Sequence, residues 1–338
     1  MKMTYAKAGV DIDLKSKCIG ALVDELKDKR EGRWKLLDLP GHFTGLIDFG
    51  DYALSLCTDG VGTKLVIAES LGKWDTVGID CVAMNVNDTI CVGAEPVAFV
   101  DYIAVDEPNK KVLASIGKGL QKGVEQANAI IVGGEVAIMP DLVRGLDLSG
   151  TCLGIVEKSK IITGQNCRPG DAIIGLPSSG IHSNGLTLAR KILEDCRKTY
   201  KSKMPPLKKS LGEELLTPTR IYVKDVMSIL GNFKVNGMVN ITGGGMRNFV
   251  RLKEGIGFQI EYLMKPNLIF KLLQELGSVD DREMYQTFNM GLGFAMVVPR
   301  NQAKAIVSRL GKGAKIIGKL DDSGKVTVPS LGLEYCEY

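Results

Sequence analysis

Four apolar runs in this 338-residue chain each stop at a glycine-containing polar cluster. Residues 53–57 run into Thr58-Asp59-Gly60-Val61-Gly62-Thr63-Lys64, and 129–132 into Gly133-Gly134-Glu135. Residues 172–176 lead to Ser178-Ser179-Gly180-Ile181-His182-Ser183-Asn184-Gly185, and 237–241 to Thr242-Gly243-Gly244-Gly245. Glycine lacks a Cβ, so such junctions permit tight turns and let backbone amides approach a ligand closely. The 40 glycines amount to roughly 12% of the chain, against an average near 7%. They follow no Gly-X-Y period and come with only 12 prolines, which excludes collagen and a Pro/Gly-rich disordered chain. The length suits about two domains.

Charge excludes other classes. Lys plus Arg number 43 and Asp plus Glu 39, a net +4 with no basic stripe to hold nucleic acid. The densest basic stretch, Lys198, Lys201, Lys203, Lys208 and Lys209, reads as a solvated loop or as a patch that steers phosphate. No run of 18 apolar residues would span a membrane. The first residues show no apolar signal core, so a cytoplasmic protein is expected. The eight cysteines form no CxxC pair, so zinc and thioredoxin-like sites lack their spacing. Cys57, Cys81, Cys91 and Cys152 lie in apolar segments and are expected in the core as reduced thiols.

The periodicity predicts helices over 76–92, 109–126, 185–195, 217–230, 267–276 and 301–310. Asn109 is the expected N-cap of the second. Strands are expected over 96–105, 129–132, 148–156, 172–176, 237–241, 293–298 and 315–319. The run 129–132 reads as a buried strand stopped by its glycines. A polar stretch with a Pro-Gly turn, 157–171, separates the halves. Domains of 1–160 and 168–338 follow, in an α/β or α+β architecture whose sheets are parallel or mixed.

Several clusters carry chemistry. In the 58–64 loop, two glycines, the Thr63 hydroxyl and Lys64 suit an anion, whereas Asp59 would repel phosphate unless Mg²⁺ bridged them. A structural turn is the other reading, because neither a Walker A nor a GxGxxG pattern fits. Asn85 and Asp88 share a helix face and need a partner: a metal, a ribose hydroxyl or an interhelical bond. Glu135 stands just past a strand end, where α/β proteins often bind ligands. Asp59, Asp88 and Glu135 together offer hard oxygen ligands for Mg²⁺. His182 sits in a hydroxyl-rich loop before a helix N-terminus, as a proton-transfer group, a phosphate donor or a cap. His42 is the only other histidine, with loop packing its simplest role.

Taken in order, GVDID (9–13), TDGVGTK (58–64), GID (78–80), NVND (85–88), GAEP (93–96), GGE (133–135), SSGIHSNG (178–185), TPTRIYV (217–223), TGGG (242–245) and EMYQTFNMGLG (283–293) resemble the phosphoribosylformylglycinamidine cyclo-ligase family. The resemblance covers nearly the whole chain. It implies a two-domain PurM-like fold, an N-terminal α/β domain and a C-terminal α+β domain, and a homodimer whose N-terminal sheets join into a barrel. It also implies ATP- and Mg²⁺-dependent closure of formylglycinamidine ribonucleotide to aminoimidazole ribonucleotide, with ADP and phosphate released, in purine synthesis.

On the same resemblance, Asp59, Asp88 and Glu135 would hold the metal, with Gly60, Gly62, Thr63 and Lys64 at the nucleotide. Ser183, Asn184, Thr242, Gly243, Gly244, Gly245 and Asn289 would hold the substrate, and His182, Lys64 and Asp59 would be catalytic. The chain departs from the family pattern at Asn240, where relatives often carry His, and in a reduced glycine-rich loop, Pro40 to Gly45, in which His42 could replace lost contacts. Rival readings are another ATP-using member of the superfamily, such as a thiamine-phosphate kinase or a selenophosphate synthetase-like protein, or a non-catalytic nucleotide-binding subunit.

Overall fold

The glycine-bounded apolar runs become strands of two mixed sheets, one in each half of the chain. The structure is a computed structural model that describes residues 4–5, 8–9, 12–26, 30–39, 41–311 and 313–337. Val10 and Asp11 of the GVDID motif, and Pro40, lie outside the described residues.

The first half runs α1 (Ile12–Glu25), β1 (Leu36–Leu37), β2 (Gly45–Phe49), β3 (Tyr52–Gly60), α2 (Lys64–Leu71), α3 (Val77–Thr89), β4 (Glu95–Val105), α4 (Lys110–Ala127), β5 (Ile130–Ile138) and β6 (Leu146–Glu157). Its sheet has the order β1-β2-β3-β6-β4-β5. Only β4 and β5, joined through α4, pair in parallel. The second half runs β7 (Ala172–Pro177), α5 (Leu186–Asp195), α6 (Leu211–Leu215), α7 (Val223–Leu230), β8 (Gly237–Asn240), β9 (Gly257–Ile260), α8 (Leu268–Gly277), α9 (Asp281–Thr287), β10 (Leu292–Val298), α10 (Ala303–Leu310), β11 (Lys315–Asp321), β12 (Val326–Val328) and β13 (Leu333–Tyr335). Its order is β13-β12-β9-β11-β7-β10-β8, with only β9 and β12 parallel.

Local chemistry explains the element ends. The Asn109 side chain accepts from the Lys111 and Val112 N–H groups, which caps α4, and Asn128 closes the helix at φ 56°. The α3 helix lies between the first sheet and α4, with Val77, Cys81, Val82 and Val86 fully buried. Gly78 is required there, because a Cβ would strike the backbone of α4 at Ile116 and Leu120. Cys57, Cys81, Cys91 and Cys152 are buried, as their apolar settings imply.

Two expectations need correction. The run 129–132 does not stop at its glycines and is not buried: β5 continues through Gly133, Gly134 and Glu135 to Ile138, on the exposed edge of the sheet. The helix expected from residue 217 begins only at Val223. Residues 217–222 instead form an irregular strap whose backbone groups are taken up by the other domain, so helical hydrogen bonding has a competitor there.

Candidate active site

The 58–64 loop leaves the end of β3. Asp59 accepts the Gly60 N–H at 2.7 Å, and the Asn85 amide on α3 donates to the Asp59 carbonyl at 3.2 Å. The same amide also donates to the Cys81 carbonyl within α3, and the buried Asn85 Oδ1 has no partner among the described residues. Gly62 adopts φ 68°, a left-handed turn that favours glycine. Asp88, near the end of α3, accepts from the Asn240 amide on β8 at 2.7 Å, a bond that crosses between the domains. Burial pushes the Asp88 carboxyl up to about 7, against the pull of that hydrogen bond and with a push from Asp59. Burial likewise raises Asp59 above the usual carboxylate range.

Lys64 and Glu135 occupy different surroundings. The Lys64 ammonium is fully buried, 2.8 Å from Asp80 and donating to the Thr217 carbonyl at 2.7 Å. Glu135 is mid-strand and exposed, not beyond a strand end. A Cβ on Gly134 would strike the Asp101 carboxylate, so alternation along the strand turns Glu135 to the opposite face of the sheet. Among the described residues, no three His, Cys, Asp or Glu side chains form a group able to hold a metal. Asp59 and Asp88 are close enough to interact; Glu135 is not gathered with them.

The second set of loops comes from the other domain. His182 is buried at φ 62°, and its Nε2 accepts the Ser179 N–H at 3.2 Å. Burial lowers its pKa to about 3, reinforced by Lys64 and then Arg220, so the ring is neutral and holds its own loop. Asn289 is buried and donates to the Gly180 and Ile181 carbonyls, bolting the same loop from below. Ser183 pairs with Thr219 at 3.3 Å and Thr63 with Thr187 at 3.1 Å. Asn184 sits against the glycine loop: a Cβ on Gly243 would lie 3.1 Å from its Oδ1. Gly245, at φ 52°, packs against the Tyr285 carbonyl, and Thr242 donates to Asn248. The SSGIHSNG, TGGG and EMYQTFN segments therefore form one assembly.

The strap 217–222 joins the two sets. Asp80 accepts from Lys64, from the Thr219 N–H at 2.7 Å and from the Thr219 hydroxyl at 2.6 Å. Asn87 grips both sides of the strap, donating to the Arg220 carbonyl and accepting the Tyr222 N–H. Arg220 and the Tyr222 hydroxyl both donate to the Pro177 carbonyl. Sequence reasoning quoted GID, NVND and TPTRIYV but did not single out Asp80, Asn87 or Thr219 as this latch. A buried Lys–Asp pair sixteen residues apart leaves no local pattern.

The residues present fit a divalent cation modestly. Burial raises both Asp59 and Asp88, and Asp59 raises Asp88 further, so a cation between them would relieve that cost; Mg²⁺ commonly takes only one or two carboxylates beside phosphate and water. Asp59 and Asp88 would supply that donor set.

These features define a class of two-domain protein, with mixed sheets and helices in each half and glycine-rich loops latched together where the halves meet. Residues 41–156 match the family model of the AIR synthase related protein N-terminal domain, and 168–329 that of the C-terminal domain. The chain is 47% identical over 333 residues to phosphoribosylformylglycinamidine cyclo-ligase of Methanosarcina barkeri, covering 98% of each. It is 48% identical over 324 residues to the enzyme of that name from Methanococcus maripaludis, covering 95% of this chain and 93% of that one. The chain belongs to the phosphoribosylformylglycinamidine cyclo-ligase family. Its fold is also that of thiamine monophosphate kinase from Aquifex aeolicus, at TM-score 0.65 and 18% identity over 95% of this chain and 99% of that one. The hydrogenase maturation protein HypE in complex with ATP is similar at TM-score 0.63 and 17% identity, over 94% and 93%.

Proposed function

We propose that the chain closes the imidazole ring of aminoimidazole ribonucleotide from formylglycinamidine ribonucleotide, using ATP and releasing ADP and phosphate. The observation that carries this beyond family membership is the latch. Lys64–Asp80–Thr219 joins the TDGVGTK loop of one domain to the 217–222 strap of the other, and Thr219 pairs in turn with Ser183 of the SSGIHSNG loop. A ring closure of this kind needs two phosphorylated ligands held together. The amide oxygen is a poor leaving group; phosphorylation by ATP makes it a good one, and the amidine nitrogen then attacks the same carbon. Positioning and charge neutralisation are the main demands on the protein.

In this scheme Gly60, Gly62 and Thr63 lie at the nucleotide, and Asp59 and Asp88 would hold Mg²⁺, whose charge would offset that of the phosphates. Ser183, Asn184 and the glycines 243–245 line the substrate side. Lys64 and Asn289 act by fixing those loops, since their polar groups are committed to protein partners, and His182 holds its own loop through Nε2. The open apolar face of the first sheet supports a homodimer in which two such faces meet. Among the described residues no helix is long and apolar enough to cross a membrane, and we place the enzyme in the cytoplasm beside other purine-forming reactions.

The test is purified protein with ATP, Mg²⁺ and formylglycinamidine ribonucleotide, assayed for the aromatic amine. Substrate-dependent ADP release with amine formation is expected. ADP release with thiamine phosphate or selenide, and none with the amidine, would transfer the chain to another superfamily activity.

A further inference from the structure

His42 is a half-buried residue whose ring finds no hydrogen-bond partner in the fold. Both ring nitrogens are shielded from solvent, and neither has a hydrogen-bond partner among the described residues. An imidazole always presents at least one N–H, and leaving a buried donor and acceptor unmet costs stability. Such groups call for an explanation in a native structure, and a ligand is one.

The loop that carries His42 is held from both sides. Its N–H donates to the Leu39 carbonyl at 3.1 Å. Two residues on, the Thr44 hydroxyl bonds Ser55 at 2.8 Å and the Leu56 carbonyl at 3.0 Å, tying the loop to β3. From the other domain, Arg251 donates to the Gly41 carbonyl at 3.1 Å and the His42 carbonyl at 3.0 Å. The same guanidinium lies 4.1 Å above the Phe43 ring, and Phe43 meets the His42 ring edge-on at 5.8 Å. A long side chain from the segment that follows the TGGG loop is thus spent on fixing this imidazole.

The location is the junction of the two halves of the site. Arg251 acts electrostatically on His42 and on Asp88, so the loop, the end of α3 and the turn Gly245–Leu252 converge there. Asp88 in turn is bonded to Asn240, two residues before Thr242.

We propose that His42 is a substrate-contacting residue, whose imidazole hydrogen-bonds the amide–amidine portion of the ribonucleotide rather than its phosphate. This rests on the cyclo-ligase reading above. The chemistry favours that portion. Burial, and then Arg251, lowers the His42 pKa to about 4, so at neutral pH the ring is uncharged, one donor and one acceptor. An amide and an amidine carry both complementary groups. A phosphate, offering only acceptors, would use the N–H and leave the other ring nitrogen unmet.

The chain has only two histidines, so ¹⁵N-histidine labelling of the wild-type enzyme reports on two rings. The His42 ring is assigned through its contact with Phe43. Addition of formylglycinamidine ribonucleotide, with a non-hydrolysable ATP analogue present, should shift the His42 ring nitrogens; inorganic phosphate or ribose 5-phosphate should not. Kinetically, His42→Phe keeps an aromatic ring and removes both nitrogens. It should lower kcat/KM for the amidine by about 10²-fold or more while leaving analogue affinity within a few fold, and His42→Asn should recover part of the loss. Unmoved ring nitrogens, a shift produced equally by phosphate, or His42→Phe within threefold of wild type would overturn the inference. The nitrogen shifts decide the matter even if His42→Phe does not fold. Wild-type turnover together with any of these results overturns this inference alone. Absence of wild-type turnover overturns the function it rests on as well.

Discussion

Strands β5 and β10 read alike and are treated oppositely by the fold. The first is Ile-Ile-Val-Gly-Gly-Glu-Val-Ala-Ile and the second Leu-Gly-Phe-Ala-Met-Val-Val. Every residue of β10 is buried, since it lies between β7 and β8 in the second sheet and both faces are covered. On β5, Ile130 is 63% exposed and Val132 60%. Leu56, Val100 and Tyr102 on neighbouring strands are exposed too. The β6 strand between them alternates strictly, buried towards α3 and half-buried on the other side. An uncovered apolar face across several strands is the mark of an interaction surface. Two sheets of similar composition therefore differ in what completes them: helices within the chain for one, and, on the dimer reading, a second copy for the other.

The sharpest way to break this comparison is a charge in each strand. Met296→Asp in β10 should prevent folding, because an unpaired carboxylate in that core costs several kcal/mol or more. Ile130→Asp with Val132→Asp should leave a folded protein and halve its mass in light scattering. A wild type that already scatters at 36.5 kDa across micromolar concentrations would show that the open face is not a dimer surface.

The domains should also titrate in opposite senses. In the second domain, burial lowers His182 to about 3. Its unfolded form takes up a proton below about 6.5, so stability falls as pH drops from there towards 3, by up to about 5 kcal/mol. In the first domain Asp88 is raised to about 7 from 3.8. Its unfolded form loses the proton first, so stability falls as pH rises from about 4 to 7, by up to about 4 kcal/mol. Urea titrations should therefore show His182→Asn flattening the acid limb and Asp88→Asn raising stability at pH 8 but not at pH 4. Asparagine suits the positive φ of His182. Parallel pH curves for wild type and both variants would remove the contrast.

The latch is the next step down. Lys64→Met strands the buried Asp80 charge between the domains and should cost about 3–5 kcal/mol by chemical denaturation. Loss of less than 1 kcal/mol would mean that Thr219 alone satisfies Asp80. The smallest effect lies on the covered side of the first sheet. Asn109→Ala removes the cap of α4 and should cost about 1 kcal/mol, with no change in oligomeric state. A change in mass with this variant would place the association surface on the helical side.

Much of the framework was legible in the residues. Local signals located the Asn109 cap and most of the expected strands to within one or two residues, because turns, caps and periodicity act over short spans. The ten ordered motifs were enough to identify the family, and they marked the loops that assemble the site. The helix expected from Thr217 was wrong because its competitor is distant: Asp80 and Asn87 bind the strap's backbone from more than a hundred residues away. The same distance hides the partners of Lys64, which are Asp80 and the Thr217 carbonyl, whereas the His182 Nε2 bonds the nearby Ser179 N–H. Glu135 kept its identity and lost its expected place, since strand continuation past Gly134 turns it to the far face. Composition and short-range pattern determined the elements, their glycine hinges and the kind of chemistry the loops can do. Which acids are neighbours, which lysine is buried and which apolar face stays open were decided only by tertiary packing, because those outcomes depend on groups far apart in the chain competing for the same hydrogen bonds and the same cover from water.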